Sequence, residues 1–465
     1  MRGMTARDHR SSVIVTALSA AFGAGLIQTT SYLAVMISGN DISEHGSVQI
    51  ALAMVAGVFI LIAVYVGAIV TANTFATIIA GRTRTIALMR LIGSSASAMR
   101  WSVAREGLAV GIIGSIFGGV VGLGLAVGAI RIAVATGAIP ALDYGTVDPL
   151  VVLPIVIVVF STWAASWVGS RGVLGVSPIQ AIGTAQEATR EETLRRPVRN
   201  TVAGVFFFGG LLILALGVLL GLVSVLGFLV AFIGGLLSFS GIVIGAHLVM
   251  PPVLRLSGRL LGRSAPARLA AENAVRYPER SSRTAIGLVI GVTLITTFAV
   301  AAEGYSSILR QAQANEPDSY QGADQILTVT LGVLTVLIGF SAVIAAIGMI
   351  NNLSLSVLQR TRELGLLRVL GFTARQVRGM IVAESAQMTI SALGLGLVLG
   401  VFYGWAGAQS LLGAIWGGPG LVWPSVPWLL LVILVVGATA LTLAAAQAPV
   451  RRATTVSPVL ALTVD

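Results

Sequence analysis

The chain has 465 residues, of which 56% are hydrophobic and 10% charged, with a mean hydropathy of +0.95. A soluble domain carries about 25% charged residues, so this shortfall excludes a soluble enzyme, a disordered chain and a nucleic-acid binder. The absence of cysteine excludes disulfide frameworks and thiolate chemistry. All 29 basic residues are arginine. Without lysine there is no Gly-Lys-Ser/Thr phosphate loop, and hence no standard ATPase site in this chain.

A spanning helix needs about 20 mainly apolar residues. Ten stretches qualify, at approximately 12–37, 48–80, 103–137, 149–170, 201–223, 226–250, 284–304, 325–355, 379–408 and 426–448. An even number of crossings puts both termini on one side. If that side is the cytoplasm, every arginine except Arg131 and Arg310 falls on the inner face, as the positive-inside rule requires. Asp41, Glu44, Asp143, Asp148, Glu303, Glu316, Asp318 and Asp324 fall toward the outside. The formal net charge of +11 is therefore a topology signal. The N-terminal arginines and apolar run resemble a signal peptide, but the run is too long and lacks a small-residue cleavage site, so it reads as an uncleaved first span. The expected protein is an all-α polytopic protein of the plasma (inner) membrane.

The sequence repeats itself. Asn73 to Glu106 aligns without gaps on Asn351 to Glu384, an offset of 278. Arg82-Thr83-Arg84 faces Arg360-Thr361-Arg362, Arg90 faces Arg368, Gly93 faces Gly371, Arg100 faces Arg378, and Glu106 faces Glu384. Gly118 and Gly122 match Gly396 and Gly400. Arg10-Ser11-Ser12 before the first span recurs as Arg280-Ser281-Ser282 before the seventh, and Val176-Ser177-Pro178 recurs as Val456-Ser457-Pro458. Three regions follow: a first four-span repeat over 1–183, a linker and two-span hairpin over 184–264, and a second four-span repeat over 265–465. Both repeats enter the membrane the same way up, which implies a pseudo-two-fold axis along the membrane normal.

The second span, about 33 residues, would be about 50 Å long as one helix, against a hydrocarbon thickness of ~30 Å. Its excess tilts or projects into the cytoplasm. In the second copy, Leu364, Leu366, Leu367, Val369 and Leu370 alternate imperfectly with Arg360, Arg362, Glu363 and Arg368 before a helix-stopping Gly371. This pattern predicts a short amphipathic helix at the inner membrane surface. The arginines could simply anchor span ends, but the recurrence of Arg-Thr-Arg, then Arg, then Gly in two loops points to a pairing surface.

Asn351-Asn352 and Val357 to Gly371, then a polar turn and Glu384 entering a Gly-rich span, resemble the signature segment of FtsX/MacB-type ABC transporter permeases. Arg451-Arg452 with Ser457-Pro458, and Leu269 to Thr284, are similar to the family's terminal and entry segments. In the first copy Thr85 stands in place of the acid and Ala87 in place of the Gly. The resemblance implies that each long second helix ends in a cytoplasmic coupling helix docked on a separate ATPase. The coupling residues would be Arg82, Thr83, Arg84, Arg90 and Gly93 in the first repeat, and Arg360, Thr361, Arg362, Glu363, Gly365, Arg368 and Gly371 in the second. Two ATPase copies would serve one permease chain. ATP and Mg would be bound by that partner, with no cofactor or metal in this chain. Many family members carry a large extracytoplasmic domain between the first and second spans of a unit. Here that connection is short (38–47 and 305–324), which leaves the handling of an amphipathic or lipophilic substrate at the membrane, such as an antimicrobial peptide, drug or lipid.

Other polar residues have local readings. Gln28-Thr29-Thr30-Ser31 either lines a substrate groove or hydrogen-bonds to neighbouring helices. Glu106 and Glu384, near the inner ends of spans three and nine, are expected to pair with inner arginines. Gly114, Gly118 and Gly122, and Gly396, Gly400 and Gly404, have the four-residue spacing that lets helices approach closely. His247 reads as a satisfied interior histidine. Trp405, Trp416, Trp423 and Trp428 read as an aromatic belt near the outer ends of spans nine and ten, and the hairpin with Phe206-Phe207-Phe208 completes a lipid-facing wall. Two further functional readings are a mechanotransmission module relaying ATPase motion to an extracytoplasmic partner, and an ion-coupled secondary transporter. The latter would need midplane carboxylates and broken helices.

Overall fold

The computed structural model describes residues 10–38, parts of 57–79, 83–137, 141–145, 147–175, 197–259, 278–317, 370–415 and 417–455, with isolated helical positions at 272, 335, 338, 339 and 342. Among the described residues all regular structure is helical. A helix satisfies its own backbone hydrogen bonds, as the lipid interior demands. Seven helices are long and apolar enough to cross a membrane, and the shorter apolar helices Ile60–Ile69 and Trp428–Ala440 add to them. These fall on every expected span except the eighth, 325–355, which lies almost wholly outside the described residues. The chain is an all-α polytopic membrane protein.

Contacts divide the chain into two compact units, Met1–Ala185 and Gln186–Asp465. In the first unit, α1 (Arg10–Ser38), α2 (Thr83–Leu91), α3 (Ala96–Ala135) and α4 (Val152–Gly169) follow one another. The 40 residues of α3 make a rod of about 60 Å, and its glycines decide what packs on it. A Cβ on Gly118 or Gly122 would run into the backbone of Ala17 or Ala21 of α1, and one on Gly114 would lie 2.8 Å from Thr16 Cβ. Another face of α3 meets α4, where a Cβ on Gly111 would lie 3.1 Å from Val159 O. Glycine and alanine thus allow α1 and α4 to approach α3 almost backbone to backbone, the close packing that helps drive helix association in lipid.

The second unit contains α5 (Pro197–Gly221), α6 (Gly227–Ile244), α7 (Ala246–Gly258), α8 (Pro278–Asn315), α9 (Ala374–Leu412) and α10 (Trp428–Thr455). Here α9 takes the place that α3 has in the first unit. A Cβ on Gly396 would lie 2.7 Å from Val292 Cγ1 of α8, and one on Gly404 2.6 Å from Thr297 O.

The α5–α6 hairpin is closed by Gly210, Gly217, Gly234 and Gly241, each facing backbone of the opposite helix. One side of it docks on α9: Leu214 and Val218 pack on Ala406 with Phe402, Tyr403 and Trp405, and Ser238 shares a 2.8 Å hydrogen bond with Tyr403. The other side leaves Phe208 69%, Leu212 73% and Leu219 61% exposed. The sixth span breaks at Gly245. The following α7 contains Pro251 and Pro252, which remove two backbone donors, and is held by Gln387 Nε2 donating to Leu254 O (2.8 Å) and by a Ser257–Ser391 hydroxyl pair (2.7 Å). His247 is buried and lies 2.8 Å from Asn200 Oδ1, joining α7 to the first turn of α5.

Candidate coupling site

The segment expected to meet an ATPase is best defined in the first unit. The stretch Thr83–Leu91, with Arg84 and Arg90 set six residues apart around an apolar centre, forms the nine-residue helix α2. Its inner face is anchored, because Ile86 and Ala87 are buried with Ile79 and Val173 against Met99 and Val103. Its outer face leaves Leu88, Leu91 and Ile92 exposed, Ile92 by 79%. Two reverse hydrogen bonds close the helix, Gly93 N to Arg90 O (3.1 Å) and Ser94 N to Met89 O (3.0 Å). That pair is a Schellman cap, which needs a left-handed residue, and Gly93 supplies it with φ +102°. Two residues on, the Ser95 side chain accepts from Ala98 N (3.1 Å) and starts α3.

The second unit repeats the glycine turn and the capped helix that follows it, at the offset read from the sequence. Gly371 has φ +97°, Leu370 before it is 70% exposed, and Thr373 caps α9. Thr373 and Gln376 form a reciprocal capping box, with Gln376 N donating to Thr373 Oγ1 (3.2 Å) and Thr373 N to Gln376 Oε1 (2.9 Å). Each glycine therefore makes a left-handed turn two residues before an N-cap, on both copies.

The proposed coupling side chains are described unevenly. Arg90 is partly exposed in the last turn of α2. Thr83 and Arg84 belong to the first turn of that helix. Arg82, Arg360, Thr361, Arg362, Glu363, Gly365 and Arg368 lie outside the described residues.

A neighbouring contact, visible in sequence only as a repeated arginine, ties α3 to the end of α4. Arg100 donates from Nη2 to Trp167 O (3.0 Å) and from Nε to Ser170 Oγ (3.3 Å). Its guanidinium carbon lies 4.0 Å from the centre of the Trp167 ring. A cation at a helix C-terminus is favoured by the helix dipole, and stacking on indole adds to it. The partner is 67 residues away, beyond any local pattern.

The polar run of α1 separates into individual roles. Gln28 is 1% exposed, and its Oε1 accepts from Asp148 N (3.0 Å). Asp148 in turn caps the 3-10 turn Pro149–Val151 that leads into α4. Thr29 is exposed and returns its hydroxyl to Gly25 O (2.7 Å). Ser31 is half-buried, and Thr30 lies in α1 with its side chain outside the described residues. Among the described residues no group of three or more His, Asp or Glu is gathered as a metal site.

The family model described as FtsX-like permease C-terminal matches residues 57–172 and again 335–458. Together these cover just over half of the chain, and the two matches begin 278 residues apart, at the offset of the internal repeat. The chain belongs to the FtsX-like permease family. Two curated relatives are similar over part of the chain. The uncharacterized ABC transporter permease YknZ of Bacillus subtilis (strain 168) is 31% identical over 114 residues, 23% of this chain and 28% of that protein. An uncharacterized ABC transporter permease of Methanocaldococcus jannaschii is 27% identical over 107 residues, 22% of this chain and 27% of that protein. The matched segment thus spans little more than a quarter of either relative.

Proposed function

We propose that this FtsX-like chain is the permease subunit of an ATP-driven ABC transporter that exports or extracts an amphipathic or lipophilic substrate. A separate cytoplasmic ATPase, in two copies, binds ATP and Mg and docks on the two repeated junctions, 82–93 and 360–371. Both termini are cytoplasmic in this reading, because the arginine distribution then follows the positive-inside rule. The observation that carries the proposal is the duplication itself. One permease domain is matched twice, and in both copies a left-handed glycine follows an exposed apolar residue and precedes a capped helix. Two repeated turns on one chain, alike in their left-handed glycine, suit two copies of one partner. The lack of lysine supports placing the ATP site elsewhere, and both relatives are named ABC transporter permeases.

The test is co-expression of the tagged chain with candidate cytoplasmic ATPases, followed by affinity purification of wild type and the Arg84→Glu plus Arg362→Glu double variant. The expected result is an ATPase retained by wild type and lost from the variant. Failure of every ATPase to bind wild type, or equal retention by the variant, would contradict the coupling assignment.

A further inference from the structure

The connection between α9 and α10, described over 413–415 and 417–427, is held by side chains of α8 and α9. Gln409, fully buried, donates from Nε2 to Gly420 O (2.7 Å) and accepts at Oε1 from Val422 N (2.9 Å). Trp405 donates from Nε1 to Val422 O (2.6 Å). Asn315 donates to Gly417 O (2.8 Å), and Ser307 shares a hydrogen bond with Ser425 (3.1 Å). The chain therefore passes the end of α9 at Leu412, turns at Gly417 and Gly420, both with positive φ, and returns to the height of Trp405 and Gln409 before α10 begins. One glutamine thus supplies both a donor and an acceptor to this irregular backbone.

The height of this fold-back can be placed. Glu384 is the last charged residue of α9, and none follows until Arg451. Residues 405 to 411 stand roughly 30–40 Å along the helix from it, where hydrocarbon gives way to headgroups. On α8, Gly304 faces Ala408, so the exposed Glu303 marks the same level as polar. At that height Trp423 is 91% exposed, with Leu421 at 64% and Trp428 at 73%. Further exposed apolar residues follow along α10, at Leu429, Val432, Ile433 and Val436. Trp405, one of the four tryptophans expected in an aromatic belt, is instead turned inward to hold the loop, and Trp416 lies outside the described residues.

We propose that residues 417–427 form a lipid anchor, with Trp423 held rigidly in the headgroup zone of the adjacent leaflet, the outer one in the orientation given above. An indole with its ring in the acyl boundary and its N–H among headgroups is the arrangement that enriches tryptophan at membrane interfaces. The loop carries no charge that would hold it in water. The inference does not depend on the transport reading.

The chain has no native cysteine, so Trp423→Cys can be spin-labelled alone in the full chain in phosphatidylethanolamine–phosphatidylglycerol vesicles. Controls are Asp143→Cys, in an exposed loop of the first unit, and Val432→Cys, on the exposed face of α10. Collisions with a water-soluble nickel chelate are expected to fall severalfold at 423 relative to 143, while collisions with oxygen rise toward those at 432. A label at 423 as open to nickel as 143 would place the loop in water and overturn the proposal. Protection from both reagents would show a protein cover, and would also overturn it. Should Trp423→Cys fail to fold, headgroup-brominated lipids should quench less fluorescence from Trp423→Phe than from wild type, and equal quenching would refute the anchor.

Discussion

Gly93 and Gly371 stand 278 residues apart in sequence and share one backbone conformation, φ +102° and +97°. Neither is crowded, since a Cβ at either would meet nothing within 4 Å. Space does not explain the glycines; the left-handed turn does. Alanine there should cost about 1–2 kcal/mol locally, whereas asparagine tolerates the conformation better. Gly93→Ala and Gly371→Ala should each weaken ATPase retention in co-purification, Gly93→Asn should restore much of it, and the helical content by circular dichroism should stay near wild type. Equal behaviour of the Ala and Asn variants would remove the backbone argument.

Helix packing can be tested within a single helix. On α3, Gly118 faces the Ala17 backbone while Gly124 faces open space. Gly118→Ala should destabilise the chain by about 1–3 kcal/mol through overpacking. Gly124→Ala should be neutral or stabilising by up to about 1 kcal/mol through helix propensity. Thermal unfolding in detergent reads both, and the prediction is the opposite direction of the two changes.

The Arg100–Trp167 contact should behave as a pair. Because Arg100 is only partly buried, Arg100→Leu should cost about 1–2 kcal/mol, toward the lower part of the range for hydrogen bonds to charged groups. Trp167→Leu removes the stacking but leaves the carbonyl acceptor, so it should lose less of the arginine's contribution. A double-mutant cycle on thermal stability should give a coupling above zero, and strict additivity would argue that the contact contributes nothing.

The polar run of α1 invites a similar separation. Gln28→Leu leaves Asp148 N without its acceptor and should cost about 1–3 kcal/mol. Thr29→Ala removes only a hydroxyl returned to its own helix and should leave stability within about 0.5 kcal/mol. A change in substrate-stimulated ATPase activity from Thr29→Ala at unchanged stability would instead favour a groove lined by these hydroxyls.

The spans were legible because apolar runs of about 20 residues have few alternatives to a helix, and the junction because Gly and charge recur where chance matching is poor. Gly118 and Gly122 announced a close approach by spacing, though not that Ala17 and Ala21 would be the backbone approached. Contacts between distant residues left no local mark: Gln409 with Val422, Arg100 with Trp167, Gln28 with Asp148. Trp405 shows the limit well, since composition and position suit an interfacial belt, and only the carbonyl of Val422 reveals that its N–H is directed inward.

The most direct measurement of the coupling claim uses Ile92 and Leu370, equivalent exposed residues that immediately precede the two left-handed glycines. In the cysteine-free chain, Ile92→Cys and Leu370→Cys would each carry a short photoactivatable crosslinker in membranes containing the co-purifying ATPase, with Trp423→Cys as the control at the opposite end of α9. Both junction positions should crosslink to the ATPase, with yields that change on adding ATP, and the control should not. Absence of ATPase adducts from both junction positions, or equal adducts from the control, would contradict the account.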